Sequence, residues 1–317
     1  MTLLPQRRLG ASGPTVTRMG LGMAALGRPG YINLGHRADL EGHRDPTGLR
    51  DRAAEVLDAA YAAGIRYVDC ARSYGRAEEF TAHWLATRDV PDMVVGSKWG
   101  YTYVADWRDD VDVHEVKEHS PANLERQLAL TRGVLGSRLA LYQIHSATRE
   151  SGVLADAAVL ERLRALRAEG VAVGLSTSGP AQADTIRDAV ATGVFDTVQS
   201  TLNPLEPSAG DALAEAHAAG MGVIVKEAVA NGRLTARGGH AAFTAAAAQF
   251  GATPDAAAIA WALAQPFVDC VLSGASTVAQ LADNLRAFAV EMPPDAFDGF
   301  REAPETYWSR RSGLRWN

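Results

Sequence analysis

The sequence predicts an α/β protein in which residues 1–317 form a single (β/α)8 barrel of the TIM type, with an N-terminal β-hairpin and a C-terminal tail near the substrate end. Three observations favour this fold. Eight short apolar runs with strand character recur along the chain, and each precedes a segment with helical apolar spacing. No Gly-x-Gly-x-x-Gly motif follows the first run, which argues against an open dinucleotide-binding sheet. No linker or change of composition marks a second domain, so eight βα units in series favour a closed parallel barrel.

The elements follow from local patterns. Two stretches, 7–10 and 15–18, flank Ala-Ser-Gly-Pro and predict the hairpin. The eight strands are predicted at 19–23, 65–70, 93–97, 139–144, 171–175, 197–199, 223–225 and 268–272. The helices are predicted at 50–63, 78–87, 121–133, 154–169, 180–191, 207–219, once or twice within 241–265, and at 278–288. Ser120 and Thr277 are the residue types that cap helix N-termini.

The first strand is separated from its helix by a long polar segment, residues 30–46. It holds His36 and His43 together with Asp39, Glu41 and Asp45. This set fits either a solvated loop, which we favour, or a metal site.

Composition bounds the function classes. The net charge is −6, and no basic stripe offers itself to phosphates, so a nucleic-acid partner is not expected. The only two cysteines, Cys70 and Cys270, lie far apart in strand-like runs, which predicts buried free thiols in a reducing compartment. The N-terminus lacks the apolar core of a signal peptide, and no apolar run of about 18 residues is long enough to span a membrane. We therefore expect a cytoplasmic protein without a membrane partner.

Four side chains that handle protons or charge stand at the carboxyl ends of predicted strands or just beyond them: Asp69, Tyr74, Lys98 and His145. In a barrel these strand ends share one rim, so residues distant in sequence meet there. Asp69 supplies an anion for Lys98. A cation beside Tyr74 is expected to lower the pKa of its phenol from about 10. His145 is suited to hydrogen-bond a substrate oxygen.

These motifs resemble those of the aldo-keto reductase superfamily, whose members are (β/α)8 barrels that bind a nicotinamide dinucleotide. GIRYVDCARSYG is similar to the family's strand with the catalytic Asp and Tyr, VVGSKWG to its lysine strand, and LYQIHS to its histidine strand. The resemblance implies that Tyr74 is the general acid/base, that Lys98 and Asp69 tune it, and that His145 positions the carbonyl.

The same resemblance implies a cofactor site, carried by VGLSTSG, TVQSTLNPL, GVIVKEAVANGRL and SGASTVAQLADN. The implied residues are Gly22, Met23, Ser176, Thr177, Gln199, Lys226, Glu227, Ala228, Arg233, Gly274, Ser276, Gln280, Asp283 and Asn284. Lys226 replaces the aromatic residue that usually stacks on the nicotinamide ring, so contact with a phosphate or a substrate anion is the alternative. The stretch 273–284 has no Lys or Arg, for which Arg233 and Arg237 are expected to compensate. On this basis NADP(H) is favoured, with NAD(H) as the alternative.

The substrate is implied to be a small-molecule carbonyl or alcohol: an aldehyde, a ketone or a sugar. Trp99, Tyr101 and Trp308 are candidate walls of its pocket, or else pack the end of the barrel. Two other functions stay open, a cofactor-sensing regulatory subunit with little turnover and a redox-neutral epimerase. No metal is expected at the rim, and the sequence does not set the oligomeric state.

Overall fold

A computed structural model describes residues 4–317 of the chain, and a closed barrel of eight parallel strands is its centre. The strands of the barrel are β3 (Met19–Gly22), β4 (Tyr67–Asp69), β5 (Val94–Trp99), β8 (Leu139–Ala147), β9 (Ala172–Thr177), β10 (Thr197–Thr201), β11 (Gly222–Lys226) and β12 (Cys270–Ser273). They are neighbours in that order, and β12 closes on β3. The predicted fold is confirmed.

Most strand residues are buried because helices cover the outside of the barrel and side chains fill its interior. The helices are α1 (His36–Asp39), α2 (Pro46–Ala62), α3 (Ala77–Thr87), α4 (Pro121–Leu135), α5 (Ala157–Ala168), α6 (Gln182–Thr192), α7 (Gly210–Ala218), α8 (Ala241–Ala248), α9 (Pro254–Ala264), α10 (Val278–Leu285) and α11 (Pro304–Ser312). The predicted caps are confirmed: Ser120 accepts from the backbone N–H of Asn123, and Thr277 accepts from that of Gln280. The apolar segment 241–265 resolves into two helices, α8 and α9.

Two antiparallel hairpins stand outside the barrel. The predicted one joins β1 (Gln6–Arg8) to β2 (Thr15–Thr17). The second joins β6 (Tyr101–Tyr103) to β7 (Glu115–Lys117), in the long loop after β5, and is absent from the sequence prediction. It places Glu115 on the same rim as the strand-end residues.

Four segments surround this rim: the region around α1, the β6–β7 hairpin, the turns at Ala230–Gly232 and Ala236–Gly238, and the tail that contains α11. The tail is tied to the α1 region, because the backbones of Tyr31 and Asn317 exchange two hydrogen bonds of 3.1 and 3.2 Å. The tail therefore lies at the carboxyl ends of the strands, as predicted.

Cys70 and Cys270 are buried and free, as predicted. The α1 region departs from the expected solvated loop: His36 is fully buried and neither of its ring nitrogens has a hydrogen-bond partner in the described chain. Burial lowers the pKa of His36 to about 4. No helix within residues 4–317 combines the length and apolar character needed to cross a bilayer.

Candidate active site

Lys98 lies inside the barrel rim and is completely buried. Its ammonium donates to the Asp69 carboxylate, to the carbonyl of Cys70 at 3.1 Å and to the Tyr74 hydroxyl at 3.3 Å. A buried ammonium needs a counter-ion and hydrogen-bond acceptors, and these three groups supply both. The structure thus brings three of the four strand-end side chains into one hydrogen-bonded group.

Asp69 is equally buried, with 1% of its surface exposed. One carboxylate oxygen pairs with Lys98. The other accepts from the Tyr67 hydroxyl at 3.0 Å and from the side-chain amides of Gln143 and Gln199, both at 3.1 Å. Four donors from four different strands therefore hold one carboxylate, which fixes the position of Lys98 in turn.

Tyr74 stands in the loop after β4, and its ring lines a cavity. Burial raises the pKa of its phenol well above the usual range, and the Asp69 charge raises it further, against the opposing effect of Arg28. The expected lowering of the phenol pKa is therefore wrong. The reason is that burial disfavours the charged phenolate and the nearby carboxylates add to this effect, which outweighs the guanidinium of Arg28.

His145 extends from the end of β8 toward the same cavity. Its ring lies edge-on to that of Tyr74, with centroids 5.4 Å apart, and Nδ1 is 3.2 Å from the Ser73 hydroxyl. Burial, followed by the Lys98 charge, lowers the pKa of His145 well below its usual value. The imidazole is therefore neutral at pH 7, and its Nε2 makes no hydrogen bond to any residue of the described range.

The cavity has a volume of about 630 Å³ and reaches from Tyr74 and His145 to the start of α10. Most of the residues that the sequence assigns to a cofactor line it: Gly22, Gln199, Lys226, Glu227, Ala228, Gly274, Ser276, Gln280, Asp283 and Asn284. Of the predicted substrate walls, Tyr101 lines it as well.

Six predicted residues do not line the cavity, each for a packing reason. Met23 and Trp99 are fully buried in the core, and Trp308 is 8% exposed. The Ser176 hydroxyl accepts from the backbone N–H of Ser146, and the Thr177 hydroxyl meets that of Ser200 at 2.9 Å. Arg233 makes a forked pair with Glu302, at 2.6 and 3.1 Å.

Lys226 ends β11 and points its ammonium at the Thr201 hydroxyl, 2.8 Å away, and toward the Glu227 carboxylate, 3.9 Å away. Burial lowers the pKa of Lys226 to about 8, although Glu227 opposes this. Glu227 has a left-handed backbone with φ 57°, and Arg311 of α11 holds both of its oxygens at 2.9 Å. Burial alone would raise the pKa of Glu227, but Arg311 and Lys226 bring it down to about 2.

Arg28 is a cavity residue that the sequence reasoning missed. Only 2% of its surface is exposed, and Nη1 donates to the carbonyl of Ser73 at 2.7 Å and to Glu115 at 2.5 Å. Its guanidinium lies 4.5 Å from the ring centre of Trp316 and 5.4 Å from that of Tyr74. Nε has no hydrogen-bond partner in the described part of the chain. The only sequence signal was a single arginine among glycines and a proline.

The residues around the cavity fit a dinucleotide. Its volume lies within the usual range for such ligands, roughly 300–1,000 Å³. The side-chain oxygen of Asn231 is buried at the cavity without a partner among residues 4–317, so it is free to accept from a ligand. Ser276, Thr277 and Gln280, at the start of α10, line its far end. Nowhere in the described range are three or more His, Cys, Asp or Glu side chains grouped to hold a metal ion.

Comparisons with known proteins identify the family of the chain. Residues 19–305 match the model of the aldo/keto reductase family. D-threo-aldose 1-dehydrogenase from Pseudomonas sp. is 27% identical over 338 aligned positions, which cover 92% of this chain and 97% of that one. An aldo-keto reductase from Strobilurus tenacellus is 34% identical over 127 residues, which are 39% of this chain and only a third (33%) of that protein.

Among solved structures, the holo form of an aldo-keto reductase from Bacillus halodurans superposes with a TM-score of 0.71 over 95% of this chain and 97% of the other. Their identity is 21%, so this likeness concerns the fold alone. The family match covers nearly the whole chain, and members of the family act on small-molecule carbonyls or alcohols with nicotinamide cofactors. The chain belongs to the aldo/keto reductase family and is an oxidoreductase.

Proposed function

We propose that this chain transfers a hydride between a nicotinamide dinucleotide and a carbonyl or alcohol substrate, with Tyr74 as general acid/base. One observation carries the proposal: the Tyr74 phenol borders the cavity between the ammonium of Lys98 and the neutral ring of His145. A bound dinucleotide would supply or accept the hydride. Gly22, Gln199, Asn231 and the start of α10 would hold it in the cavity.

The protein's own part is proton handling. In the reducing direction the carbonyl oxygen gains negative charge and takes the proton of Tyr74. The raised pKa keeps that proton in place until it is needed. Lys98, 3.3 Å from the phenol oxygen, then stabilises the phenolate that forms. Asp69 holds Lys98 in position throughout.

His145 orients the substrate. A neutral imidazole with a free Nε2 donates or accepts one hydrogen bond and adds no charge, so it fixes the oxygen near Tyr74 without competing for the proton. In the oxidising direction Tyr74 would react as the phenolate, stabilised by Lys98, and would accept the proton of the alcohol.

The cavity wall supports a polar, hydroxylated substrate. Arg28 and Glu115 form a donor–acceptor pair on one side, and Arg311 and Glu227 form another. The aromatic faces of Tyr101 and Trp316 stand nearby. Forked donors, carboxylate acceptors and flat apolar faces together suit a sugar-like carbonyl, and the resemblance to an aldose dehydrogenase points the same way.

The test is Tyr74→Phe, compared with Tyr103→Phe. The second variant removes a buried hydroxyl that has no partner within residues 4–317 and does not line the cavity. We expect Tyr74→Phe to lower kcat by roughly 10²–10⁴-fold in a steady-state carbonyl screen. Fluorescence titration should show unchanged dinucleotide binding, and Tyr103→Phe should behave as wild type.

Turnover within tenfold of wild type in Tyr74→Phe would refute the proton role. Binding without turnover on any carbonyl or alcohol would instead favour a cofactor-sensing subunit. Product formation without net cofactor consumption would favour an epimerase.

A further inference from the structure

The end of the cavity farthest from Tyr74 is acidic. It is lined by the side chains of Asp39, Asp255 and Asp283 around the start of α10. The adjoining stretch 273–284 contains no lysine or arginine. Arg237, from the turn at Ala236–Gly238, is the cation that reaches this end of the described cavity.

Arg237 already forms an ion pair with Asp39. Its Nη1 and Nη2 donate to the two oxygens of Asp39, at 2.6 and 2.5 Å. Asp39 also accepts from the side-chain amide of Gln280 at 2.7 Å. Asp39 therefore joins the α1 region to the opposite turn and to α10, and its charge cancels that of Arg237.

Which nucleotide this end of the cavity favours depends on the group at the 2′ position of the adenosine ribose. The reacting ring must lie beside Tyr74, so the adenosine ribose of a dinucleotide falls at the far end. NADP(H) carries there a 2′-phosphate, which a protein holds with unpaired arginine or lysine side chains. Here that phosphate would meet the carboxylates of Asp255 and Asp283, the latter 3.5 Å from the exposed Arg286, and an Arg237 whose charge Asp39 already balances. NAD(H) instead presents a 2′-hydroxyl, which can donate to a carboxylate.

We propose that Asp39 is a specificity-determining residue that selects NAD(H) over NADP(H), by neutralising Arg237 and accepting from the ribose hydroxyls. The inference rests on the proposed function and reverses the preference for NADP(H) that the sequence favours. The two arginines expected to compensate do not do so, because Arg233 pairs with Glu302 away from the cavity and Arg237 pairs with Asp39.

Equilibrium binding tests this without any turnover. NADH and NADPH are titrated separately into the purified protein, and the fluorescence of the reduced nicotinamide is followed. Wild type should bind NADH at least tenfold more tightly than NADPH. In Asp39→Asn the carboxylate charge is gone and Arg237 is available, so NADPH binding should tighten at least tenfold while NADH binding weakens.

Further variants test whether the tighter binding of NADPH needs Arg237 and whether it depends on where the negative charge is removed. Adding Arg237→Ala to Asp39→Asn should abolish the gain for NADPH. Asp112→Asn makes the same change in net charge at an exposed position outside the cavity, and the ratio of the two dissociation constants should stay as in wild type. Asp283→Asn, on α10, should tighten NADPH by a few-fold and provides the test if Asp39→Asn does not fold.

The outcomes separate the two claims. If wild type binds both nucleotides but prefers NADPH, or if Asp39→Asn folds and leaves the ratio unchanged, the role of Asp39 is refuted and the proposed function stands. If neither nucleotide binds in the micromolar range, the proposed function fails as well.

Discussion

Replacing Lys98 by methionine should destabilise the protein strongly, because it leaves a charged Asp69 inside the barrel. Asp69 would keep its three neutral donors, Tyr67, Gln143 and Gln199, but lose its counter-ion. Removing one partner of a buried ion pair costs about 3–5 kcal/mol.

The size of the thermal shift follows from the chain length. An unfolding entropy of about 2.1 cal/mol/K per residue gives about 0.7 kcal/mol/K for 317 residues. We therefore expect a fall in Tm of about 4–8 °C for Lys98→Met, measured by circular dichroism at pH 8.

The double variant Asp69→Asn/Lys98→Met sharpens the test. It removes both charges and leaves a neutral amide that still accepts from Tyr67 and the two glutamines, so most of the lost Tm should return. Lys117→Met, on the exposed side of β7, controls for the loss of a lysine and should change Tm by less than about 1 °C. If the Tm of the double variant falls by the sum of the losses caused by the two single substitutions, Asp69 and Lys98 are not coupled in the way described.

Three further outcomes are expected. Because the pKa of His145 lies well below its usual value, the imidazole stays neutral across neutral pH, and kcat for carbonyl reduction should show no inflection near pH 6.5 that depends on this residue. A change of kcat with pH near 6.5 that is present in the wild type and lost in His145→Gln would contradict a neutral His145. Gly133→Ala, at an exposed position in α4 with no atom within 4 Å of the added carbon, should stabilise the protein by about 0.5–1 kcal/mol. Gly27→Ala should instead destabilise it by about 1–3 kcal/mol, because its Cβ would stand 2.1 Å from the carbonyl oxygen of Tyr74. If the two alanine variants have equal melting temperatures, the predicted opposite effects of Gly133→Ala and Gly27→Ala are refuted.

The barrel and the meeting of Asp69, Tyr74, Lys98 and His145 at one rim could be predicted because both follow from local patterns. Apolar runs mark the strands, and a parallel barrel brings every strand end to one rim. Asp69, Lys98 and His145 each come at or near the end of such a run, so their meeting needed no knowledge of distant contacts.

The rest of the site depends on contacts that no local pattern contains. Arg28 is buried by Tyr74 and Trp316, which lie 46 and 288 positions away in sequence. Glu115 reaches the rim only because β7 pairs with β6 across an irregular loop. The sequence identified Arg237 as a cation, but its partner Asp39 belongs to a segment expected to be solvated.

The pKa of Tyr74 was predicted in the wrong direction for a related reason. The sequence shows Lys98 near the phenol, whereas the shift of the Tyr74 pKa is set first by burial and then by the charge of Asp69, and burial cannot be read from the sequence. That residues 1–317 form one domain, and that the protein is cytoplasmic, stay predictions.

Asp69 accepts hydrogen bonds from donors on β4, β5, β8 and β10. This limits which parts of the site can be varied without loss of the fold. Asp69 and Lys98 are anchored to the barrel wall, whereas Arg28, Glu115 and Arg311 come from loops and the tail. Exchanging rim segments should therefore change the cavity wall while the pair of Lys98 and Asp69 stays in place. Libraries that vary positions 67, 143 or 199 should instead lose folded protein before they change selectivity.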